Sequence, residues 1–198
     1  TPGYWEPPIP ATVDVGIGVP QKQLPASTMG AVIALEELMA YAKGGAGADE
    51  YGAAVGPALA EWIQASGSWR LAATSVAEIQ ALLDFASSNE VPLVIDGASD
   101  AGELADEIAA SGAHVVLKVD TQASLADRGK GPDARWQIAP DAVALAEAGV
   151  SFAISNRSAT QTLFSAALAA ERGLAEADAL RAITLSSAQI LGVADSVG

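Results

Sequence analysis

The chain is 198 residues long and 51% apolar, which suits one sizeable core or two small ones and excludes a disordered tail or a solvating acidic linker. It has no cysteine and a single histidine, His114, so a disulfide framework, a thiol nucleophile and any zinc site needing several of its own imidazoles are excluded. Its 24 acidic and 10 basic residues give a net charge of −14, which repels phosphate backbones and argues against nucleic acid as a partner.

Along the chain, residues 1–28 hold Pro2, Pro7, Pro8, Pro10, Pro20 and Pro25 with Gly16 and Gly18 between them. Such a density of breakers predicts an irregular arm with at most a short edge strand. Residues 29–198 are read as one βα domain. Val32, Ile33, Leu35, Leu38 and Met39 recur at helical spacing, which predicts a helix over 29–43 ended by Gly44-Gly45-Ala46-Gly47. A weaker helix is expected over 49–64, interrupted near Gly56-Pro57.

Beyond Gly67 the texture becomes regular. Strands are expected near 69–73, 91–95, 114–119 and 150–154, each short and apolar as strands of a buried parallel sheet are. Ser75 with Glu78 has the spacing of a capping box, Asp100 with Glu103 resembles a second helix start, and Ser158 with Gln161 a third. A polar loop over 121–137 leads to a helix over 140–147, and the last thirty residues read as two or three short helices. Alternating strands and helices predict an α/β fold, either a doubly wound sheet or part of a (β/α)8 barrel. No G-x-G-x-x-G follows any strand, which removes the dinucleotide-binding reading. No run approaches the ~20 apolar residues of a membrane span, and no leader segment opens the chain. A start at Thr1 and an abrupt stop at Gly198 are what an excised or trimmed piece would show; the compartment stays open.

The C-terminal segment decides between the two architectures. Glu171-Arg172-Gly173-Leu174, Ala179-Leu180-Arg181-Ala182-Ile183-Thr184 and Ser187-Ala188-Gln189-Ile190-Leu191-Gly192-Val193-Ala194-Asp195-Ser196-Val197-Gly198 resemble the closing helices of the amidohydrolase superfamily, most of all its imidazolonepropionase-like branch. The resemblance implies that the chain is the C-terminal half of a TIM-type barrel of the metal-dependent hydrolase kind, a fragment of a larger chain with an H-x-H on the first strand upstream. It also implies a histidine at the end of the fifth strand and another at the end of the sixth. This sequence reads Leu71-Ala72-Ala73-Thr74 and Val94-Ile95-Asp96-Gly97 there. The aspartate that activates water at the end of the eighth strand aligns with Ser155 or Asn156, and an amide cannot accept that proton.

The resemblance therefore implies a degenerate, non-catalytic barrel domain without cofactor, acting as a binding or interaction module. Its partners would be a small polar molecule and the remaining barrel half or a second chain. The alternative is a portion of an active hydrolase of non-peptide C–N bonds, with zinc or another divalent metal held from a missing N-terminal part and by Asp96 as its one candidate ligand here. An unrelated α/β binding protein is a third reading. In parallel barrels ligands lie beyond the strand C-termini, so the pocket candidates are Thr74, Asp96, Asp120, Ser155, Asn156 and Arg157. Asp96, Asp100 and Asp120 could together offer oxygens to a hard cation, although Asp100 is equally a helix cap. His114 opens its strand and so falls at the stability end of a barrel. Trp5, Trp62, Trp69 and Trp136 read as core or loop contacts.

Overall fold

The computed structural model describes residues 15–16, 28–44, 57, 59–61, 63–64, 68–118 and 138–197. Their elements, in chain order, are β1 (Val15–Gly16), α1 (Thr28–Ala42), β2 (Trp69–Ala73), α2 (Val76–Asn89), β3 (Leu93–Gly97) and a 3-10 turn (Ala101–Leu104). There follow α3 (Ala105–Ser111), β4 (His114–Lys118), α4 (Ile138–Glu147), β5 (Phe152–Ser155), α5 (Ala159–Glu171), α6 (Glu176–Ile183) and α7 (Leu185–Ile190). Of the helix expected over 49–64, residues 57, 59–61 and 63–64 are helical; the rest of that span, most of the arm, the 121–137 loop and the tryptophans 5, 62 and 136 lie outside the described residues.

The strands form one parallel sheet in the order β1-β2-β3-β4-β5. Sequential order without reversal means that right-handed crossovers send every connecting helix to the same face. Side-chain alternation separates the two faces. Trp69, Leu71, Ala73, Ile95, Val115, Leu117, Phe152 and Ile154 point into the main core, where they meet Ile79, Leu82 and Phe85 of α2, Ile108 of α3 and Leu145 of α4. Trp69 meets Phe85 edge to face, with ring centroids 5.6 Å apart. The opposite face carries Arg70, Ala72, Val94, Asp96, Val116 and Ala153, aligned through the registers Arg70–Val94, Ala72–Asp96, Asp96–Val116 and Val116–Ala153. There Val94, Val116 and Ala153 make a small second cluster closed by Ile190 of α7.

The capping box at α2 forms as its spacing predicts. The Glu78 amide donates to Ser75 Oγ at 3.4 Å, while the Ser75 and Thr74 amides both donate back to Glu78 Oε2 at 3.1 and 2.9 Å. Burial pushes the Glu78 carboxyl up, but these donors together outweigh it and its pKa lies below the usual value. Ser158 caps α5 in the same way, accepting from the Gln161 amide at 3.3 Å.

Two expectations are corrected. The second strand runs Leu93–Gly97 instead of 91–95: Pro92 has no N–H for the ladder, and its carbonyl instead accepts from the Trp69 amide at 2.8 Å. The shift places Asp96 within the strand. Asp100 precedes the 3-10 turn but makes no side-chain cap, because the Gly102 amide it would reach is taken at 3.0 Å by Asp141 Oδ1, from the first turn of α4. That approach is so close that a Cβ on Gly102 would lie 2.6 Å from Asp141 Oδ1 and 2.9 Å from Asp141 Cα. Gly97 is equally constrained, at φ +105° with the Ala73 carbonyl oxygen 3.1 Å from where a Cβ would stand.

Burial raises the Asp141 pKa to about 6, the Gly102 hydrogen bond opposing and the charges of Asp100 and Glu103 adding to the rise. Because the folded value lies above the unfolded one, the folded state binds more protons between roughly pH 4 and 6. Stability from this group is full below that window and is lost as pH rises through it. We expect Asp141→Asn, which keeps an acceptor for Gly102, to flatten the fall in melting temperature between pH 4 and 7. At pH 8 it should stabilise the protein by on the order of 1–3 kcal/mol, read by denaturant titration at each pH.

Candidate functional site

The residues beyond the strand ends divide between cap duties and the sheet interior. Thr74 is exposed, and its Oγ1 donates to Glu78 Oε2 at 2.9 Å as part of the α2 cap. Asn156 turns towards α5: its Nδ2 donates to Ser165 Oγ at 3.1 Å, its Oδ1 accepts from the Arg157 amide at 2.7 Å, and its own amide donates to Thr162 Oγ1 at 3.2 Å. Ser165 is itself buried and donates to the Gln161 carbonyl at 2.8 Å. The arrangement pins the start of α5 to the end of β5. Arg157 is exposed, Ser155 ends β5 half-buried, and Asp120 lies outside the described residues. His114 opens β4, aligned with Val94; its Nδ1 is buried without a hydrogen-bond partner, and burial holds its pKa below the usual imidazole value.

Asp96 is the centre of charge on the face of the sheet opposite the main core, hereafter its inner face. It is 3% exposed, a burial that an unpaired carboxylate does not tolerate. Its Oδ2 accepts from Arg70 Nη2 at 3.0 Å and from Lys118 Nζ at 2.8 Å, drawing one cation from β2 and one from β4. Its Oδ1 and Arg70 Nε are both buried without hydrogen-bond partners, so the pair meets at one point and not as the two-point fork that guanidinium and carboxylate can form. Among the described residues, two cations thus share this one carboxylate. Among the described residues, no three His, Asp or Glu side chains converge as metal ligands would.

The sequence pointed to Asp96 but not to Arg70 or Lys118. A signal existed. Each is a lone charge in an apolar strand, and once strand boundaries are known their parity puts both on the face of Asp96.

A cavity of about 330 Å³ lies between this inner face and the C-terminal helices. Val94, Val116 and Ala153 form its sheet wall and Ile183, Ile190 and Leu191 its helical wall, while Arg70, Ser155, Thr162 and Ser187 supply polar groups. Of the pocket residues expected from sequence, Ser155 lines this space; Thr74, Asp96, Asn156 and Arg157 do not. The cavity thus reaches from the N-terminal half of the strands to the end of β5 instead of sitting wholly beyond the strand ends.

With this geometry in place, the chain can be set beside known proteins. No protein-family model matches the sequence, and no curated protein matches it. The fold matches the crystal structure of an amidohydrolase from Thermotoga maritima with a TM-score of 0.72 and 19% sequence identity, over 94% of this chain and 53% of that one. The likeness is one of fold, a mixed α/β chain with a parallel sheet, and this chain spans about half the length of that protein.

Removing Asp96 strands two cations, but both are partly solvated, with side-chain exposures of 30% for Arg70 and 56% for Lys118. We expect Asp96→Ala to cost about 1–3 kcal/mol, below the range for wholly buried pairs. Lys118→Met should cost under about 1 kcal/mol because Arg70 still neutralises the carboxylate. Urea denaturation of the two variants reads the difference, and a larger loss from Lys118→Met would reverse this ranking.

Proposed function

We propose that this chain is part of an amidohydrolase-type (β/α)8 barrel, similar to the imidazolonepropionase-like branch, that has kept the fold without the catalytic groups and works as a binding or interaction module. One observation carries the reading: Asp96, which the resemblance puts at or beside the metal-ligand position of the sixth strand, is held by Arg70 and Lys118. The residues present do not fit a resident metal. A dication in contact with Oδ2 would stand beside two cations that are each within 3.0 Å of that oxygen, and like charges some 4 Å apart repel by about 4 kcal/mol per unit pair at an effective dielectric constant of 20. The strand-end stretch Leu71-Ala72-Ala73-Thr74 offers no imidazole, and Asn156 spends its amide on α5.

Among the described residues, the sheet ends at β1 on one side and β5 on the other. Large exposed apolar side chains sit on the flanking helices, Met29 and Ile33 on α1, Leu163 and Phe164 on α5. Those edges favour the remaining barrel half, or a second chain, as a partner. No helix among the described residues is long and apolar enough to cross a membrane.

A second reading, part of a working hydrolase of non-peptide C–N bonds, is favoured by the fold match to a protein described as an amidohydrolase. It needs the other ligands from upstream chain and a rearranged Asp96. The two readings part on metal content and turnover. Protein purified from zinc- and manganese-supplemented medium and dialysed should carry well under one equivalent of either by elemental analysis, and should not hydrolyse cyclic amides. Stoichiometric metal with metal-dependent hydrolysis would overturn the proposal in favour of the second reading.

A further inference from the structure

We infer that the contact between the turn after β3 (98–104) and the first turn of α4 is a pH-operated clasp: neutral Asp141 holds the turn closed, and ionised Asp141 lets it open while the sheet stays folded. The turn is tied at two places. At its entry the Ala98 amide donates to the Ala73 carbonyl at 2.6 Å and the Asp100 amide to the Thr74 carbonyl at 3.1 Å. None of these backbone groups titrates, so this tie serves as a hinge. In the middle of the turn the tie is Asp141, whose Oδ1 accepts from the Gly102 amide at 3.0 Å. The turn's own bonding is weak. Asp100 gives it no side-chain cap, and the Ala101 and Glu103 amides reach the Ala98 and Asp100 carbonyls at 3.2 and 3.3 Å, the long end of the range. Ala98 is fully buried at φ +41°, a left-handed backbone that a Cβ disfavours and that its surroundings must hold in place.

The surroundings of Asp141 make its charge costly. It is 8% exposed, so ionisation proceeds with little hydration. From the turn it faces Asp100 and Glu103, both acidic. Along the same seam Glu103, Asp106 and Glu107, from the turn and α3, face Glu147 of α4 across an outer hollow of about 300 Å³ that no lysine or arginine lines. Of the other elements packed against α4, α5 carries Glu171 with Arg172 at its C-cap, and β5 has no charged residue. Among the described residues, no cation forms an ion pair with Asp141. Docked, the carboxyl therefore keeps its proton up to about pH 6; in an opened turn, hydrated, it returns towards the ordinary 3.8. The opening equilibrium is flat below about pH 4, climbs about tenfold per pH unit to about pH 6 and is flat again above it, about a hundredfold in all.

The released segment runs from the end of β3 and adjoins that of β2, on the side where parallel α/β folds keep their ligand contacts. Opening it changes that face without dismantling the core, which a loss of overall stability alone would not do. The device stands whether the chain is a binding module or part of a working hydrolase. Its test is native-state hydrogen exchange of the intact chain between about pH 4 and 7, corrected for intrinsic exchange rates and repeated in low urea. The Gly102 and Glu103 amides should exchange through a small opening that urea barely promotes, and their protection should fall about a hundredfold across the range. The Ile95 and Leu117 amides, in the sheet, should exchange through an unfolding that urea promotes strongly. Asp141→Asn, which keeps the acceptor without the charge, should hold Gly102 protection constant with pH. Gly102 exchange that follows Ile95 and Leu117 in its urea dependence at every pH overturns the inference. So does Gly102 protection that ignores pH in the unaltered chain, or the same pH dependence in Asp141→Asn.

Discussion

The sequential order of parallel strands constrains everything else in this molecule. When each strand lies beside its predecessor and every crossover has the same hand, all connecting helices gather on one face of the sheet. That face becomes the main core, and its residues are the ones that alternate to full burial: Trp69, Leu71, Ala73, Val115, Leu117. Among the described residues, the other face receives no crossover helix. Its residues must be satisfied by one another, by the C-terminal segment, or by a further chain. The Arg70–Asp96–Lys118 cluster and the Ile190 contact are two local solutions to that one problem, the first electrostatic and the second apolar.

How much of this was legible in sequence depends on the range of the interaction. The α2 cap was legible because all its partners lie within five residues of one another, Thr74 to Glu78. The strands were legible as short apolar runs, but β3 slid by two residues because Pro92 can join an apolar run without joining a ladder. The failed cap at Asp100 has the opposite cause. Locally its spacing was sound, and the competing carboxylate, Asp141, stands 39 residues from Gly102. No periodicity in either segment reports that contact. Gly102 was the one local sign, a residue without a side chain where another element comes within 3 Å of where a Cβ would stand.

The candidate site divides along the same line. Asp96 stood out because an acid closing an apolar strand is conspicuous. Its partners did not, because a register is needed to align Arg70 and Lys118 with it, and register is set by the packed sheet and not by any one strand. Asn156 shows the converse. Its position after β5 suggested a pocket, but a short amide at the start of a helix is readily recruited by nearby hydroxyls and amides, here those of Thr162, Ser165 and Arg157.

The same carboxylate can be a metal ligand or a counter-ion, and its neighbours decide which. A hard cation needs several converging oxygens and few competing charges. An aspartate flanked in the sheet by an arginine on one side and a lysine on the other offers the reverse, one oxygen already shared between two cations and the other without a donor. Such a cluster is not a gain in stability over apolar packing of the same volume, since desolvation offsets much of the attraction. What it supplies, among the described residues, is a fixed charged cluster that ties β2, β3 and β4 together on the inner face. Removing the carboxylate strands both cations, whereas removing either cation leaves the other to neutralise Asp96. Whether an aspartate on such a sheet binds a metal is thus set by the register that brings its neighbours beside it, and not by the aspartate itself.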